Sequence, residues 1–410
     1  MKKVRKSTPL VLLALMNILG YSMLAMNADT FYSKVEIGII GFLFLCLMFI
    51  CFFLIKLLNM GDNYLFLPVA ALLSVGLLML MRIDDTLGKK QMIWFCASAV
   101  CYFLAYAFYR SIKVRDKLFW VYFGVSALLF AGTLILGTEV NGSKNWIFIG
   151  TQGFQPSELI KLLFVLGLAC LFEKEVQNKF MAKTAKNLLI MCYVYVNLGF
   201  LVLQREWGIA TLFFLVYMAM MFVFGSEIKI MVLNALIVTA GGFGGYKLLY
   251  HIQTRVDMWI NPFSDATGRG FQIVQSLIAI ASGSFAGLGF LNGSPEYIPE
   301  VQSDFIFSEI CEEFGILGGV GVIMLFFILA YRGFKITLSV KDRFDKLTAL
   351  GITAIFSFQT FIILGGVIKL IPLTGITLPF ISYGGSSLLT SFMALGLLQA
   401  VSKGTEDELV

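Results

Sequence analysis

Long apolar runs separated by short polar segments repeat along almost the whole chain. A helix needs about 20 apolar residues to cross the hydrocarbon core of a bilayer, and twelve runs are close to that length. We therefore predict an all-α fold, a polytopic transmembrane bundle of about 12 spans. The predicted spans are 9–27, 36–57, 64–81, 91–109, 118–137, 157–172, 187–203, 208–225, 230–250, 314–331, 347–368 and 379–401.

Two of the polar segments between these runs are long, 138–156 and 251–313. Loops of such length are uncommon in compact proteins unless they carry a function. Within the second, 271–281 has the apolar periodicity of a helix. We expect this helix to lie along the membrane interface or to dip partway in, which is permitted where protein covers the backbone.

Lysine and arginine are concentrated in every second connecting segment, first at residues 2–6 and later at 110–117, 174–186 and 332–346. Because such residues mark the cytoplasmic side, both termini are predicted to be cytoplasmic and the two long loops to face outward. The first apolar run lacks a small-residue cleavage site, so we interpret it as a retained helix rather than a signal peptide.

Composition supports a membrane protein. Hydrophobic residues make up 59% of the 410 and charged residues only 14%, against about 25% charged in soluble domains. The net charge of +6 comes from the clusters between apolar runs, which argues against a nucleic-acid partner. The seven cysteines fall almost wholly inside apolar runs and His251 is the only histidine, so neither zinc ligation nor a disulfide framework is predicted.

The second outer loop contains a carboxylate in a turn. Asp265 follows Pro262 and precedes two glycines, with Arg255 and Arg269 nearby in sequence. Such a carboxylate can serve as a general base, or it can cap a turn and form an inert ion pair. The residues alone favour the second interpretation.

Five acidic residues lie where this loop leads into the next span. Acids are favoured near a helix amino terminus by the helix dipole, but ionisable residues along an apolar helix are functional candidates. Both interpretations stay open. The residues are Glu300, Asp304, Glu309, Glu312 and Glu313, and the last four are expected to lie along a largely apolar helix.

Three further polar groups map to the same outward face. They are Gln155–Lys161 at the start of one span, Gln204–Gly208 at the outer end of another, and Leu378–Ser387, which is predicted to open the last span. Each alone is explained by packing, because small residues let membrane helices approach closely and proline is tolerated in a first helical turn. Together they suggest a polar pocket.

These segments, in this order, resemble the SEDS family of bacterial membrane proteins, the RodA, FtsW and SpoVE group. The resemblance runs from about residue 64 to 401. It is carried by Phe154–Lys161, by Leu203–Gly208 (similar to the family's LQPDLG), by Asn261–Asp265 followed by Gly268–Ser276, by Ile298–Phe307, by Glu312–Gly315 and by Leu378–Ser387.

The resemblance implies a peptidoglycan glycosyltransferase that polymerises lipid II outside the membrane, alongside a class B penicillin-binding protein that cross-links the strands. It places the family's essential aspartate at Asp265, which becomes the expected general base. It also implies a SEDS core of ten helices at 61–402, two additional helices within 1–60 and a cytoplasmic tail at 403–410. Whether the role is in elongation, division or sporulation stays open.

The expected substrate contacts follow from this mechanism. Charge that develops on a pyrophosphate needs cations, and the candidates are Lys144, Arg255, Arg269 and Lys369, with or without a divalent ion such as Mg or Mn. Other expected substrate-binding or supporting residues are Glu158, Lys161, Glu206, Gln272, Gln275, Glu300, Asp304, Glu312, Glu313, Ser382 and Tyr383.

The chain departs from the family pattern at three places. Ala266 replaces the proline that usually follows the aspartate, and Lys369 lies in a span that usually carries asparagines. The first outer loop reads Asn141-Gly-Ser-Lys-Asn-Trp146 where the family typically has Lys-Gly-Ala-x-Arg-Trp, which leaves Lys144 as a substitute cation.

Two other functions compete with the polymerase. One is a transporter that flips lipid II, and the other is a non-catalytic scaffold of the cell-wall synthesis complex. A transporter should need polar residues through the depth of the bilayer, whereas most polar residues here crowd the outer half.

Overall fold

A computed structural model describes residues 8–140, 142–150, 152–177, 183–224 and 228–407. Helices dominate it, which confirms the predicted all-α class. They are α1 Thr8–Asn27, α2 Phe31–Leu57, α3 Phe66–Ile83, α4 Asp85–Ser111, α5 Phe119–Leu136, α6 Pro156–Gln177, α7 Lys183–Leu203, α8 Trp207–Val223, α9 Ile228–Leu248, α10 Tyr250–Ile260, α11 Phe271–Gly283, α12 Ile306–Ser339, α13 Arg343–Val367 and α14 Gly385–Asp407.

The apolar helices make this a multi-pass membrane protein. Within the described residues, nine helices are long and apolar enough to cross a membrane, namely α1–α5, α9 and α12–α14. The apolar stretches of α7 and α8 are shorter, and α6 carries five charged residues, Glu158, Lys161, Glu173, Lys174 and Glu175. Each of the twelve predicted spans overlaps a helix, but the count of twelve stays a prediction.

The two long polar segments contain more regular structure than the sequence pattern predicted. Segment 138–156 forms a small antiparallel sheet with strand order β1-β2-β3, and 251–313 contains α10 and α11. The strands are β1 Thr138–Val140, β2 Ser143–Ile149 and β3 Gln152–Phe154. Asn141, residues 1–7 and the end of the predicted tail, 408–410, lie outside the described residues.

Two predicted helix starts were wrong. Residues 371–384 are not helical, and α14 begins only at Gly385, near the end of the motif Leu378–Ser387 that was expected to open it. Pro372 and Pro379 each remove a backbone donor and resist the helix interior. The second incorrect start concerns α12. This helix begins at Ile306, so Asp304 precedes the helix instead of lying along it.

The contacts divide the chain into two compact units. The first comprises Met1–Tyr106, Ser276–Arg332 and Thr377–Val410, and the second Ala107–Gln275 and Gly333–Ile376. Buried aromatic rings fill the core of each. In the first, Phe392 contacts the rings of Phe66, Phe95 and Tyr102. In the second, Phe164 stacks on Phe213 with ring centroids 4.2 Å apart.

Helix α12 breaks at Gly315, where φ is 67°. The backbone groups freed by the break pair with the loop 284–289: the N–H groups of Leu288 and Gly289 donate to the carbonyls of Glu312 and Glu313, each at 3.0 Å. A Cβ at Gly315 would lie 2.4 Å from the Phe285 carbonyl oxygen. The position therefore requires glycine, and the protein itself satisfies the broken backbone.

Candidate active site

Asp265 ends a short 3₁₀ turn, Pro262–Asp265, between α10 and α11. Its Oδ2 accepts hydrogen bonds from Arg269, from the backbone N at 3.2 Å and from Nε at 3.0 Å. The Asp265 carbonyl accepts from the N–H groups of Gly268 and Gly270, which closes the turn. The Arg269 side chain and backbone donors lower the pKa of the Asp265 carboxyl below its usual value. The carboxylate is therefore ionised at neutral pH and partly exposed, as a general base must be.

Three of the predicted phosphate-binding cations lie in other surroundings. Arg255 Nη1 donates to the carbonyls of Leu373 and Thr374 at 3.2 and 2.9 Å, and Lys144 Nζ donates to the Leu134 carbonyl at 2.6 Å. The Lys369 ammonium has no hydrogen-bond or ion-pair partner among the described residues, and its backbone is left-handed with φ 62°. Of the four candidates, only Arg269 contacts Asp265.

Glu206 lies between α7 and α8 and is 5% exposed. Its Oε1 accepts from Asn145 Nδ2, Gln155 Nε2 and Ser157 Oγ at 2.5, 2.5 and 3.0 Å. Burial raises the pKa of Glu206 to about 6, although the three hydrogen bonds act in the opposite direction. The Glu206 carboxylate thus joins strand β2 to two of the predicted polar groups, 155–161 and 204–208.

One turn into α6, Glu158 and Lys161 form a buried ion pair of 2.8 Å. Lys161 Nζ also donates to Gln359 Oε1 on α13 at 2.9 Å. A charge inside an apolar bundle is tolerated when it is paired and hydrogen-bonded. This pair therefore ties α6 to α13 in the second unit.

In the first unit, one of the acids of α12 binds an arginine that the site prediction did not include. Arg82 Nε donates to Glu313 Oε1 at 3.1 Å, and its Nη2 donates to the carbonyls of Leu291 and Gly293. Glu312 Oε2 accepts from the Ser294 N–H at 3.3 Å. Glu309 is fully buried, and neither of its carboxylate oxygens has a hydrogen-bond partner among the described residues.

The remaining predicted residues form smaller groups. Ser382 Oγ donates to the Ser303 carbonyl at 2.6 Å. The Tyr383 N–H donates to the Gln302 carbonyl at 2.8 Å. These bonds join the last motif to the turn that follows Glu300, which also leads through the half-buried Asp304 into α12. On α11, Gln272 is exposed and Gln275 half-buried.

The described residues do not offer a metal site made of protein ligands alone. No group of three or more His, Cys, Asp or Glu side chains in that part of the chain is arranged to hold a metal ion. The Asp265 turn supplies one carboxylate, already paired with Arg269. A divalent ion at this turn would need further ligands from substrate phosphates or water, and the expected ion stays a prediction.

A family model described as cell cycle protein, FtsW/RodA/SpoVE, matches residues 64–407. The chain belongs to this family, the SEDS family. The match leaves both α1 and α2 outside.

Relatives of this SEDS protein include stage V sporulation protein E of Bacillus subtilis, which is 34% identical over 368 residues that cover 83% of this chain and 97% of that protein. Peptidoglycan glycosyltransferase RodA of Mycobacterium tuberculosis is 30% identical over 372 residues, with coverage of 84% and 79%. A probable peptidoglycan glycosyltransferase FtsW of Trichlorobacter lovleyi is 32% identical over 359 residues, with coverage of 84% and 93%.

Solved structures give the same family. One aligned chain comes from a structure titled "Structural coordination of polymerization and crosslinking by a peptidoglycan synthase complex". The alignment has TM-score 0.69 and 27% identity, and it covers 84% of this chain and 98% of that one. The crystal structure of the Thermus thermophilus rod shape determining protein RodA aligns with TM-score 0.62 and 28% identity, over 83% and 96%.

Sequence reasoning missed three residues with notable polar contacts in this SEDS protein, one in the first unit and two in the second. Arg82 is the partner of Glu313, and a buried acid near an apolar helix end should have prompted a search for a cation. Trp207 and His251 hydrogen-bond each other. Their signals were an indole in a motif position where the family has leucine, and the only histidine of the chain.

Proposed function

We propose that this SEDS protein is a peptidoglycan glycosyltransferase that polymerises lipid II on the outer face of the cytoplasmic membrane, with Asp265 as general base. The supporting observation is a partly exposed carboxylate in the predicted outer loop, kept ionised by Arg269. The names of the relatives agree with this reaction class.

In the proposed reaction, the 4-hydroxyl oxygen of an incoming lipid II attacks the anomeric carbon of the growing, lipid-linked glycan. A new C–O bond forms, the bond from the anomeric carbon to the pyrophosphate breaks, and the pyrophosphate leaves with the electron pair. The hydroxyl proton passes to the Asp265 carboxylate. Because lipid tails hold both substrates in one membrane, their approach is restricted to two dimensions, which favours productive orientation.

The ion pair with Arg269 has a consequence for catalysis. A carboxylate with a lowered pKa is fully ionised but is a weak base, whereas base catalysis is most efficient when the pKa lies near the working pH. We expect Arg269 to transfer its hydrogen bonds from Asp265 to the pyrophosphate when substrate binds. That movement raises the pKa of the base and places a cation where negative charge develops.

The other predicted residues enter as supports. The contacts of Glu206 and of the Glu158–Lys161 pair fit structural roles, and the Lys369 ammonium, which has no partner among the described residues, can bind an anion. Substrate contacts by Lys144, Arg255, Gln272, Gln275, Glu300, Asp304, Glu312, Glu313, Ser382 and Tyr383 stay predictions.

A class B penicillin-binding protein is the proposed partner, since an aligned structure comes from a complex that coordinates polymerization and crosslinking. Both termini are proposed to be cytoplasmic. For the divalent ion, Mg²⁺ is commonly held by one or two carboxylates together with substrate phosphates. Activity measured after chelation and re-addition of Mg²⁺ or Mn²⁺ tests it, and no step above depends on it.

The deciding experiment uses purified protein in vesicles supplied with labelled lipid II. Polymer from the wild type and none from Asp265→Ala supports the enzyme, with Glu296→Gln, an exposed acid of the same predicted outer loop, as the control that stays active. Translocation of lipid II without polymer would favour a transporter. Neither polymer nor translocation, together with binding of a partner transpeptidase, would favour a scaffold.

A further inference from the structure

Helix α10 leads directly into the Asp265 turn. It ends at Ile260, and the 3₁₀ turn that carries Asp265 starts two residues later at Pro262. The Asn261 N–H still donates to the Asp257 carbonyl at 2.9 Å, so no flexible linker intervenes. The position of α10 therefore sets the position of the carboxylate.

One face of α10 carries three side chains that fix it to other segments of the second unit. His251, Arg255 and Trp259 are spaced four residues apart and so lie along one face of the helix. Arg255 binds the carbonyls of Leu373 and Thr374, and Trp259 Nε1 donates to the Lys369 carbonyl at 3.1 Å. His251 Nε2 accepts a hydrogen bond of 2.9 Å from Trp207 Nε1.

The Trp207 side chain, which donates the hydrogen bond to His251, is itself held in place. Trp207 is the first residue of α8 and follows Glu206, whose carboxylate accepts three hydrogen bonds. Its ring lies over Gly245 of α9, where a Cβ would come 3.6 Å from Cη2. The indole thus fills the space above a glycine and directs its N–H to His251.

The bond requires one protonation state of the histidine. An indole N–H can only donate, so His251 must accept at Nε2 and carry its proton on Nδ1. Burial, followed by the charges of Arg205 and Arg255, lowers the pKa of His251. The other charged or titratable groups of the adjoining segments are Glu206, Tyr246, Lys247, Tyr250, Asp257 and Arg269.

We propose that Trp207 and His251 are a positioning pair, whose hydrogen bond fixes the first turn of α10 and thereby holds the Asp265 turn in place for glycosyl transfer. This rests on the proposed role of Asp265. In the family motif that 203–208 resembles, leucine stands at position 207, and leucine has no N–H to donate. The family motif therefore does not supply this donor.

Two substitutions remove the bond from opposite sides. Trp207→Phe keeps a ring over Gly245 but lacks the donor, and His251→Phe keeps a ring but lacks the acceptor. His251→Gln is the rescue variant, because its amide oxygen can accept from the indole and does not titrate. Trp120→Phe is the matched control, since Trp120 is 73% exposed on α5.

The first measurement is hydrogen exchange of the amides at 261–270 in the full-length protein. We expect faster exchange in Trp207→Phe and His251→Phe, and wild-type exchange in His251→Gln and Trp120→Phe. Unchanged exchange in both Phe variants overturns the proposal. If one of them fails to fold, the other gives the answer, since each removes the same bond.

The second measurement is lipid II polymerisation. Small misplacement of a catalytic group can cost up to about 100-fold in rate, so we expect kcat to fall by roughly 10-fold in the two Phe variants with KM little changed. The wild type should lose activity at acidic pH as His251 becomes protonated, and His251→Gln should lose less. Glu206 titrates equally in both proteins, so the difference reports His251.

The outcomes separate this proposal from the role of Asp265. Faster exchange at 261–270 with an unchanged kcat would show that the pair does not position the base and would overturn the inference. Full activity of Asp265→Asn would instead refute the proposed base, while the exchange data would still report the bond between Trp207 and His251.

Discussion

Two carboxylates of the second unit show how surroundings divide roles. Asp265 has a side chain 34% exposed and binds one charged partner, Arg269. Glu206 is almost fully buried and receives three hydrogen bonds from neutral side chains on one oxygen, while its Oε2 has no partner among the described residues.

The two environments shift the pKa values in opposite directions. Charged and backbone donors lower the pKa of Asp265, because they stabilise the ionised form more than partial burial opposes it. At Glu206 burial outweighs three neutral donors and raises the pKa to about 6. The exposed carboxylate is thus available to substrate, and the buried one joins β2, α6 and the start of α8.

The largest expected effect is on catalysis at the exposed carboxylate. Asp265→Asn keeps the size of the side chain but removes the base, and general base catalysis contributes about 10²–10⁴-fold. Polymerisation of labelled lipid II should therefore fall at least about 100-fold, with the thermal unfolding temperature unchanged. A variant within about threefold of the wild type would contradict the proposed base.

The buried carboxylate should show the reverse behaviour. Glu206→Ala leaves the donors of Asn145, Gln155 and Ser157 without their acceptor, and each buried unsatisfied group costs about 1–3 kcal/mol. We expect a loss of about 3 kcal/mol in the free energy of unfolding, seen as a lower unfolding temperature in detergent. Glu206→Gln, which keeps an acceptor oxygen, should lose less; equal stability of Glu206→Ala and the wild type would rule out the structural role.

The pH dependence of stability distinguishes the two carboxylates by sign. Since the folded pKa of Glu206 is about 6 and its ordinary value is 4.5, its favourable contribution is complete below pH 4.5 and is lost as pH rises through 6. At 1.36 kcal/mol per pKa unit the loss is about 2 kcal/mol. Asp265 has a lowered pKa, so its favourable contribution to stability is lost as pH falls, and only at more acidic pH.

Comparison of the wild type with Glu206→Gln between pH 4.5 and 7 measures this effect. The glutamine does not titrate. The free energy of unfolding of Glu206→Gln, relative to that of the wild type, should therefore rise by about 2 kcal/mol over this range. Glu296→Gln, an exposed site, should show no such trend. If the difference in the free energy of unfolding between the wild type and Glu206→Gln does not change with pH, the Glu206 carboxyl is not buried in solution.

The sequence predicted the helices well, because a 20-residue apolar run has few alternatives in a membrane. Its errors lie in the segments between the apolar runs, where short polar stretches have no strong periodicity. The strands at 138–154 and the late start of α14 at Gly385 depend on tertiary contacts, such as the Ser382 bond to Ser303.

The candidate site was predicted residue by residue but not as contacts. Motif order identified Asp265 and Arg269, which the structure brings together. It did not identify the Arg82–Glu313 or Trp207–His251 pairs, because each joins residues more than 40 positions apart, and a single sequence contains no distance information of that kind.

The smallest expected effect concerns the departure beside the catalytic turn. Ala266 has φ −66°, the value that proline imposes. Ala266→Pro should therefore retain activity and gain about 0.4–1 kcal/mol by restricting the unfolded chain. Proline also disfavours helical torsions at the preceding residue, which is Asp265 itself. If that strain dominates, both the unfolding temperature and kcat will fall, whereas Ala266→Gly should lower only the unfolding temperature.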